Sequence, residues 1–292
     1  MTGRWVRMAE VWDEELVEGE VVRNPPEFVR LLMKSGLGAD IFSFAERLPQ
    51  TTPRYGYHFE WDNLAAVPIT TYLEWWEGRL PQESRKNVRR AGKRGIVVRP
   101  VSLSDELIVG IKHIYDETGV RQGRRFWHYG KDLEAVREIN GTYQHRSQYI
   151  GAFLKDELVG FVKVTYVERI ATLIQILAMN KHRDKRPMNA LLAHTVKLCE
   201  QRKISWLVYG KYTYGNKTDS SLAEFKRRNG FEEVRFPRYY VPLTPKGKLA
   251  MTMGLHQGIG SVIPSGPMSF FLRMRAGFYR FWCDGRQRVG GE

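Results

Sequence analysis

The clearest hydrophobic patterning lies in the second half of the chain. Residues Ser147 to Leu154 and Leu158 to Val167 are strand-like stretches on either side of Lys155-Asp156-Glu157, which predicts a hairpin. Ile170 to Met179 reads as a third strand, with Leu173, Ile176 and Ala178 among its apolar residues. Met188, Leu191, Leu192, Thr195, Val196 and Cys199 recur at helical spacing. Trp206 to Tyr209 reads as a short buried strand, Ser220 to Asn229 as a helix closed by Gly230, and Phe231 to Leu243 as a return to strand. Upstream, Ile96 to Pro100 is a strand candidate. Asp105 to Gly119 is a helix with Leu107, Ile111 and Ile114 on one face. From Ile96 onward the predicted order is strand, helix, three strands, helix, strand, helix, strand.

The first third is less regular. Pro25-Pro26 and Thr51-Thr52-Pro53 read as loop breaks. Phe28 to Lys34 suits a short helix, Tyr55 to Trp61 alternates like a strand, and Tyr72 to Trp76 looks helical. From Pro245 a turn-rich connector precedes an aromatic and aliphatic tail, Met268 to Trp282, interleaved with Arg273, Arg275 and Arg280. That tail suits a helix docked on the N-terminal region, and it also suits an interfacial membrane helix.

The chain has 292 residues and a net charge of +14, from 46 Lys and Arg against 32 Asp and Glu. Its 42% hydrophobic content is that of a folded protein, and no apolar run is long enough to span a bilayer. Met1 to Leu16 lacks a secretory apolar core, so a cytoplasmic protein is expected, with a peripheral place at the inner membrane face left open. Two cysteines and seven scattered histidines match neither a disulfide framework nor a metal spacing, so no metal is expected.

The charge directs attention to anionic partners. Between Arg79 and Arg99 eight basic residues face Glu83 alone, which is half of the whole net charge. Arg85, Lys86, Arg89, Arg90, Lys93 and Arg94 fall on a short helix read as starting at an N-cap, Ser84, and ending at Gly95. This one-signed helix is a candidate nucleic-acid or phosphate contact, the other reading being a basic linker helix.

The element order, the stretch "LIQILAMNKHRDKRPMNALLAHTVKLCEQRKI" and the late "FKRRNGFEEV" resemble the GCN5-related N-acetyltransferase (GNAT) fold. "SRKNVRRAGKRGIVVRP", "DSSLAEFKRRNGF" and "RYYVPLT" draw the resemblance toward Fem-type aminoacyltransferases, over roughly Tyr72 to Thr244. The resemblance implies an α/β (α+β) class: a mixed central sheet flanked by helices. The expected divisions are a small, partial GNAT-like unit at 1–83 and a basic helix or linker at 84–95. A GNAT-like domain at 96–244 and a connector with amphipathic helix at 245–292 follow.

The resemblance also implies a donor phosphate site at the turn that opens the helix after the third strand. Here that turn offers Lys181, Arg183, Lys185 and Arg186, with Pro187 suited to the first helical turn. The acetyl-CoA signature places small residues three and five positions after Arg183, where this chain has Arg186 and Met188. Many GNAT enzymes place a tyrosine four residues before the Gly-Phe pair. This chain has Lys226 there, beside Phe225, as Fem-type relatives commonly do. An ammonium at that place can stabilise a developing oxyanion or touch a phosphate. After the short strand, Lys211, Tyr214 and Asp219 are candidates for substrate binding and Tyr212 for a catalytic hydroxyl. Glu168 is the candidate base.

These readings predict an amide-forming acyltransferase with no permanently bound cofactor. Its donor would be an acyl-CoA or an aminoacyl-tRNA and its acceptor an amine. The expected partners are a phosphorylated donor or acceptor, tRNA, and a membrane surface through 268–282. A non-catalytic nucleic-acid or membrane-surface binding protein of the same fold is the alternative.

Overall fold

The structure is a computed structural model that describes residues 5–11, 14, 22–121, 123–213 and 221–257. Tyr214, Asp219 and the tail at 268–282 lie outside the described residues.

The N-terminal segment supplies β1 (Met8–Glu10), α1 (Pro25–Lys34), β2 (Ile41–Ala45) and β3 (His58–Pro68). Then come α2 (Tyr72–Glu74), which runs into a single π turn (Trp75–Arg79), and α3 (Gln82–Lys93). Next are β4 (Ile96–Val101), α4 (Asp105–Asp116), a two-residue ribbon β5 (Val120–Arg121) and β6 (Arg124–Arg125), and α5 (Leu133–Gly141). The hairpin β7 (Ser147–Leu154) and β8 (Glu157–Val167) leads to β9 (Ile170–Ala178), a 3₁₀ turn (Asn180–Lys185) and α6 (Pro187–Gln201). The chain continues with β10 (Trp206–Val208), α7 (Ser221–Arg228), β11 (Glu232–Pro242) and α8 (Pro245–Thr252).

Nine strands form one sheet in the order β1-β2-β11-β3-β10-β9-β8-β7-β4. The N-terminal strands therefore share a sheet with the later ones, β3 being held between β11 and β10. α3 and α6 cover one face over a core that includes Ala91, Ile150, Leu191 and Val196, all buried. α4 and α5 cover β7 to β9 on the other face, around Ile111, Tyr115 and Phe161. A third cluster, Phe42, Phe44 and Tyr239, closes the β2-β11 end. Among the described residues no helix is long and apolar enough to cross a membrane.

Two local readings are corrected. α3 starts at Gln82 after Pro81, so Ser84 is an interior helix residue. Its buried hydroxyl instead donates 2.5 Å to the Arg228 carbonyl, which ties α3 to the end of α7. The aromatic stretch before residue 61 enters the sheet only at His58 and the strand runs on to Pro68.

The sheet opens at its centre. β10 pairs with β9 only from Trp206↔Ile170 to Val208↔Thr172, while β9 runs on to Ala178. Past Val208 the chain follows β3: Tyr209 N–H donates 2.9 Å to the Ala65 carbonyl, and Ala65 N–H donates 2.8 Å to that of Gly210. Where the strands part, β9 shifts register against β8, leaving Ile174 without a partner between Leu173 and Gln175.

Candidate active site at the sheet opening

α7 and the loop after β10 form one wall of the opening. Lys226 is fully buried on α7, and its ammonium donates 2.5 Å to the Lys211 carbonyl. The same Nζ lies 5.0 Å from the centre of the Tyr209 ring, a cation–π contact. Burial pulls the Lys226 ammonium down to about 8, so it keeps its proton at neutral pH with little to spare. Tyr212 is half-buried and, like Tyr209 and Phe225, packs against the core that α6 covers.

The backbone of Asn229 and Gly230 fixes the end of α7. Trp75 Nε1 donates 3.3 Å to the Asn229 carbonyl. Gly230 adopts φ +80, and a Cβ there would lie 3.2 Å from the Arg79 carbonyl oxygen. Asn189 at the start of α6 donates 3.3 Å to Asn229, so α6 and α7 meet at the mouth.

The basic turn forms the opposite wall. Arg186 sits at φ 60 and ψ 40, the left-handed backbone of a glycine, before Pro187 starts α6. The turn thus takes a backbone suited to a glycine signature without the glycine. Lys181 is exposed and pairs with Glu157 at 2.6 Å, Arg183 is exposed, and Lys185 lies 3.6 Å from Asp184. The carboxylate of Glu117 accepts from the backbone N–H of Asn180 at 2.6 Å and of Lys181 at 2.7 Å. Those two amides are therefore already held by an anion belonging to the chain itself.

α3 bridges the two walls. At one end Ser84 reaches α7; at the other Arg94 donates 2.8 Å to the Asp184 carbonyl and 3.0 Å to its carboxylate. Arg85 holds the carbonyls of Trp76 and Glu77, Arg89 lies 5.5 Å over the Trp76 ring, and half-buried Arg90 reaches Asn87. Lys86, Arg89 and Lys93 are exposed. The helix, the turn and the end of α7 thus form a basic rim in which Arg94, Lys181, Arg227 and Arg228 are paired with Asp184, Glu157 and Glu224 while Lys86, Arg89 and Lys93 are exposed.

The other face of β9 carries a polar network that the sequence did not reveal. Gln175 accepts 2.7 Å from the Tyr115 hydroxyl and lies 3.1 Å from His128 Nε2. Burial, with Lys131 and Arg121 nearby, pulls His128 down to about 4, so its imidazole is neutral at physiological pH.

Lys211 joins the opening to a cleft on the far face of β3, β10 and β11. Its Nζ lies 3.4 Å from Asp62 Oδ2, which also accepts from Arg238 at 2.9 Å; Arg238 pairs with Glu14 at 2.7 Å. Burial alone would raise the Asp62 carboxyl, but Arg238 and Lys211 hold it below the usual carboxylate range. Leu48, Leu64, Ile170, Val208 and Phe236 give the cleft an apolar floor. Glu14, Asp62 and Arg238 are not announced by the sequence because only the fold brings these distant residues together.

Glu168 stands apart from both walls. It is exposed at φ 52 in the β8-β9 turn, at the opposite end of β9 from the basic turn. Lys211, Tyr212 and Lys226 are gathered at the opening, with Lys181, Arg183, Lys185 and Arg186 across from them.

Neither a family model nor a curated protein matches the sequence. Solved structures do match in fold. The crystal structure of FemX covers 80% of this chain and 73% of its own length at 13% identity, with a TM-score of 0.54. The C-terminal domain of a putative lysylphosphatidylglycerol synthetase from Agrobacterium fabrum covers 81% and 79% at 14% identity, TM-score 0.55. L-PGS from Bacillus licheniformis covers 79% and 75% at 17% identity, TM-score 0.50. The chain therefore shares the fold of FemX and of these synthetase structures.

Proposed function

We propose that the chain is an amide-forming acyltransferase whose donor is an aminoacyl-tRNA and whose acceptor is an amine. The observation that carries this reading is Lys226: an ammonium kept in a buried position, at the edge of a sheet opening, under a positive rim. A solvated helix lysine would not be buried this way, since taking an ammonium out of water is costly and here it is held by the Lys211 carbonyl and the Tyr209 ring.

In the reaction the acceptor nitrogen attacks the ester carbonyl of the aminoacyl group. A C–N bond forms, negative charge builds on the carbonyl oxygen, and the C–O bond to the ribose then breaks. The proton lost by the amine ends on the ribose oxygen that leaves. In this reading Lys226 stabilises the oxyanion and Tyr212 orients the reacting groups. The activated ester needs no strong base, which agrees with the position of Glu168 away from the walls.

The tRNA donor is favoured over acyl-CoA by the turn itself. Arg186 stands where a small residue would let a pyrophosphate approach the backbone, and Glu117 holds two of the amides. The exposed Lys86, Arg89 and Lys93 suit a long phosphate chain running past the mouth. Two of the structural neighbours carry the names lysylphosphatidylglycerol synthetase and L-PGS, in keeping with transfer of an aminoacyl group.

Calorimetric titration at low salt tests the donor. Binding of total tRNA that weakens steeply with salt, together with no heat from acetyl-CoA or longer acyl-CoAs, supports the reading. Saturable heat from an acyl-CoA and none from tRNA overturns it.

A further inference from the structure

One cluster lies outside the opening and plays no part in the proposed transfer. His58 and Glu60 occupy alternate positions of β3 and so share a face of the strand. His256 belongs to the short 3₁₀ turn Leu255–Gln257 that follows α8 and folds back over that face. Its Nε2 lies 2.7 Å from Glu60 Oε1, and His58 Nε2 lies 3.7 Å from the same oxygen. The two imidazoles stand 5.6 Å apart at 88°, and the three side chains offer ligand atoms that all lie within 4.8 Å of one another.

We propose that His58, Glu60 and His256 form a binding site for a divalent transition-metal ion of the zinc type. Two imidazole nitrogens and one carboxylate oxygen are a donor set that zinc accepts and that magnesium and calcium, which take oxygen ligands, do not favour. Zinc bonds of about 2.0–2.1 Å in a tetrahedron place ligand atoms about 3.3 Å apart. The two Nε2-to-Oε1 separations, 2.7 and 3.7 Å, lie on either side of that value.

A hydrogen bond between His256 and Glu60 accounts for one of these contacts and not for the convergence of both rings on one oxygen. His256 has a side chain only 4% exposed, and its Nδ1 has no hydrogen-bond partner among the described residues. His58, 52% exposed, gives the cluster an open side through which an ion enters. Tyr240, opposite His58 in the sheet, lies within the field of one guanidinium, Arg238, and three carboxylates, Glu10, Glu60 and Asp62, so negative groups outnumber the positive one there. Ion binding would clasp the turn at 255–257 onto β3, joining parts of the chain 196 residues apart.

The test uses the full chain without a histidine tag, after dialysis against EDTA. Zinc titration is expected to show one ion per chain, and cobalt to give the visible absorption of a tetrahedral complex. Mass action on the folded state should raise the melting temperature at saturating zinc, reversibly with EDTA, and magnesium should leave it unchanged. His58→Ala, at an exposed position, should weaken zinc binding by about 100-fold or more while the far-ultraviolet dichroism is retained. Glu60→Gln provides the second variant. No stoichiometric zinc or cobalt binding to the wild-type chain would overturn the proposal, as would undiminished binding in both variants.

Discussion

The Lys226 ammonium donates 2.5 Å to the carbonyl of Lys211, the residue whose own side chain points to Asp62 in the cleft beyond. A single residue thus connects the sheet opening to the cleft on the other face. Replacing Lys226 by methionine keeps an unbranched side chain of nearly the same length and removes the charge. Loss of one preorganised oxyanion donor is worth about 10²–10³ in kcat. Steady-state transfer assays on Lys226→Met should show that loss with the KM for the acceptor little changed.

The lowered ammonium predicts a pH signature. Transfer should decline as pH rises through about 8, when Lys226 loses its proton, and Lys226→Met should lack that limb. Stability has the opposite sense. The folded-state value lies below the ordinary 10.5, so the unfolded chain binds the extra proton between the two. The wild type should therefore gain stability relative to Lys226→Met as pH rises from about 8 toward 10.5, measured by urea unfolding across that range.

The positive rim predicts a salt signature. Each phosphate contact removed reduces the log–log salt slope by roughly 0.7 to 0.9. Charge reversal at Lys86, Arg89 and Lys93 should flatten the slope for tRNA by about 2 to 3 if all three touch phosphates. Equilibrium binding at several salt concentrations measures it.

The legible part of this fold is the part written in local patterns. The β7-β8 hairpin follows from two strand-like runs and the Lys155-Asp156-Glu157 turn, and α6 from its helical spacing beginning near Met188. β2, Ile-Phe-Ser-Phe-Ala, escaped because four of its five residues are buried and it has no polar alternation to mark it. α5 escaped because only Val136 and Asn140 of its nine residues are buried. Lys226 could be singled out by its place before Gly230, but its burial could not, because Tyr209 and Lys211 reach it from the loop after β10. The His58–Glu60–His256 cluster has no sequence spacing to announce it, since the second histidine arrives from the far end of the described chain.

Arg186 carries a conformation that costs a non-glycine residue about 1 kcal/mol. Arg186→Gly should raise unfolding stability by about 0.5–1 kcal/mol in urea titrations, less whatever the guanidinium contributes by packing.

Gly247 lies at the opposite extreme. Its amide donates 3.0 Å to the Thr244 hydroxyl that caps α8, and a Cβ there would stand 1.9 Å from the Asp40 carbonyl oxygen. Gly247→Ala must displace backbone, so a loss of about 3 kcal/mol is expected in equilibrium unfolding.

The central claim is acyl transfer at the sheet opening. The direct measurement is product formation from total tRNA charged with labelled amino acids, offered a panel of primary amines that includes lysyl peptides and ethanolamine. Labelled amide that accumulates with the wild-type chain, and falls by about 100-fold or more with Lys226→Met, is the predicted result. Amide formation that is the same in both proteins, or absent from both with aminoacyl-tRNA and acyl-CoA alike, would contradict the account.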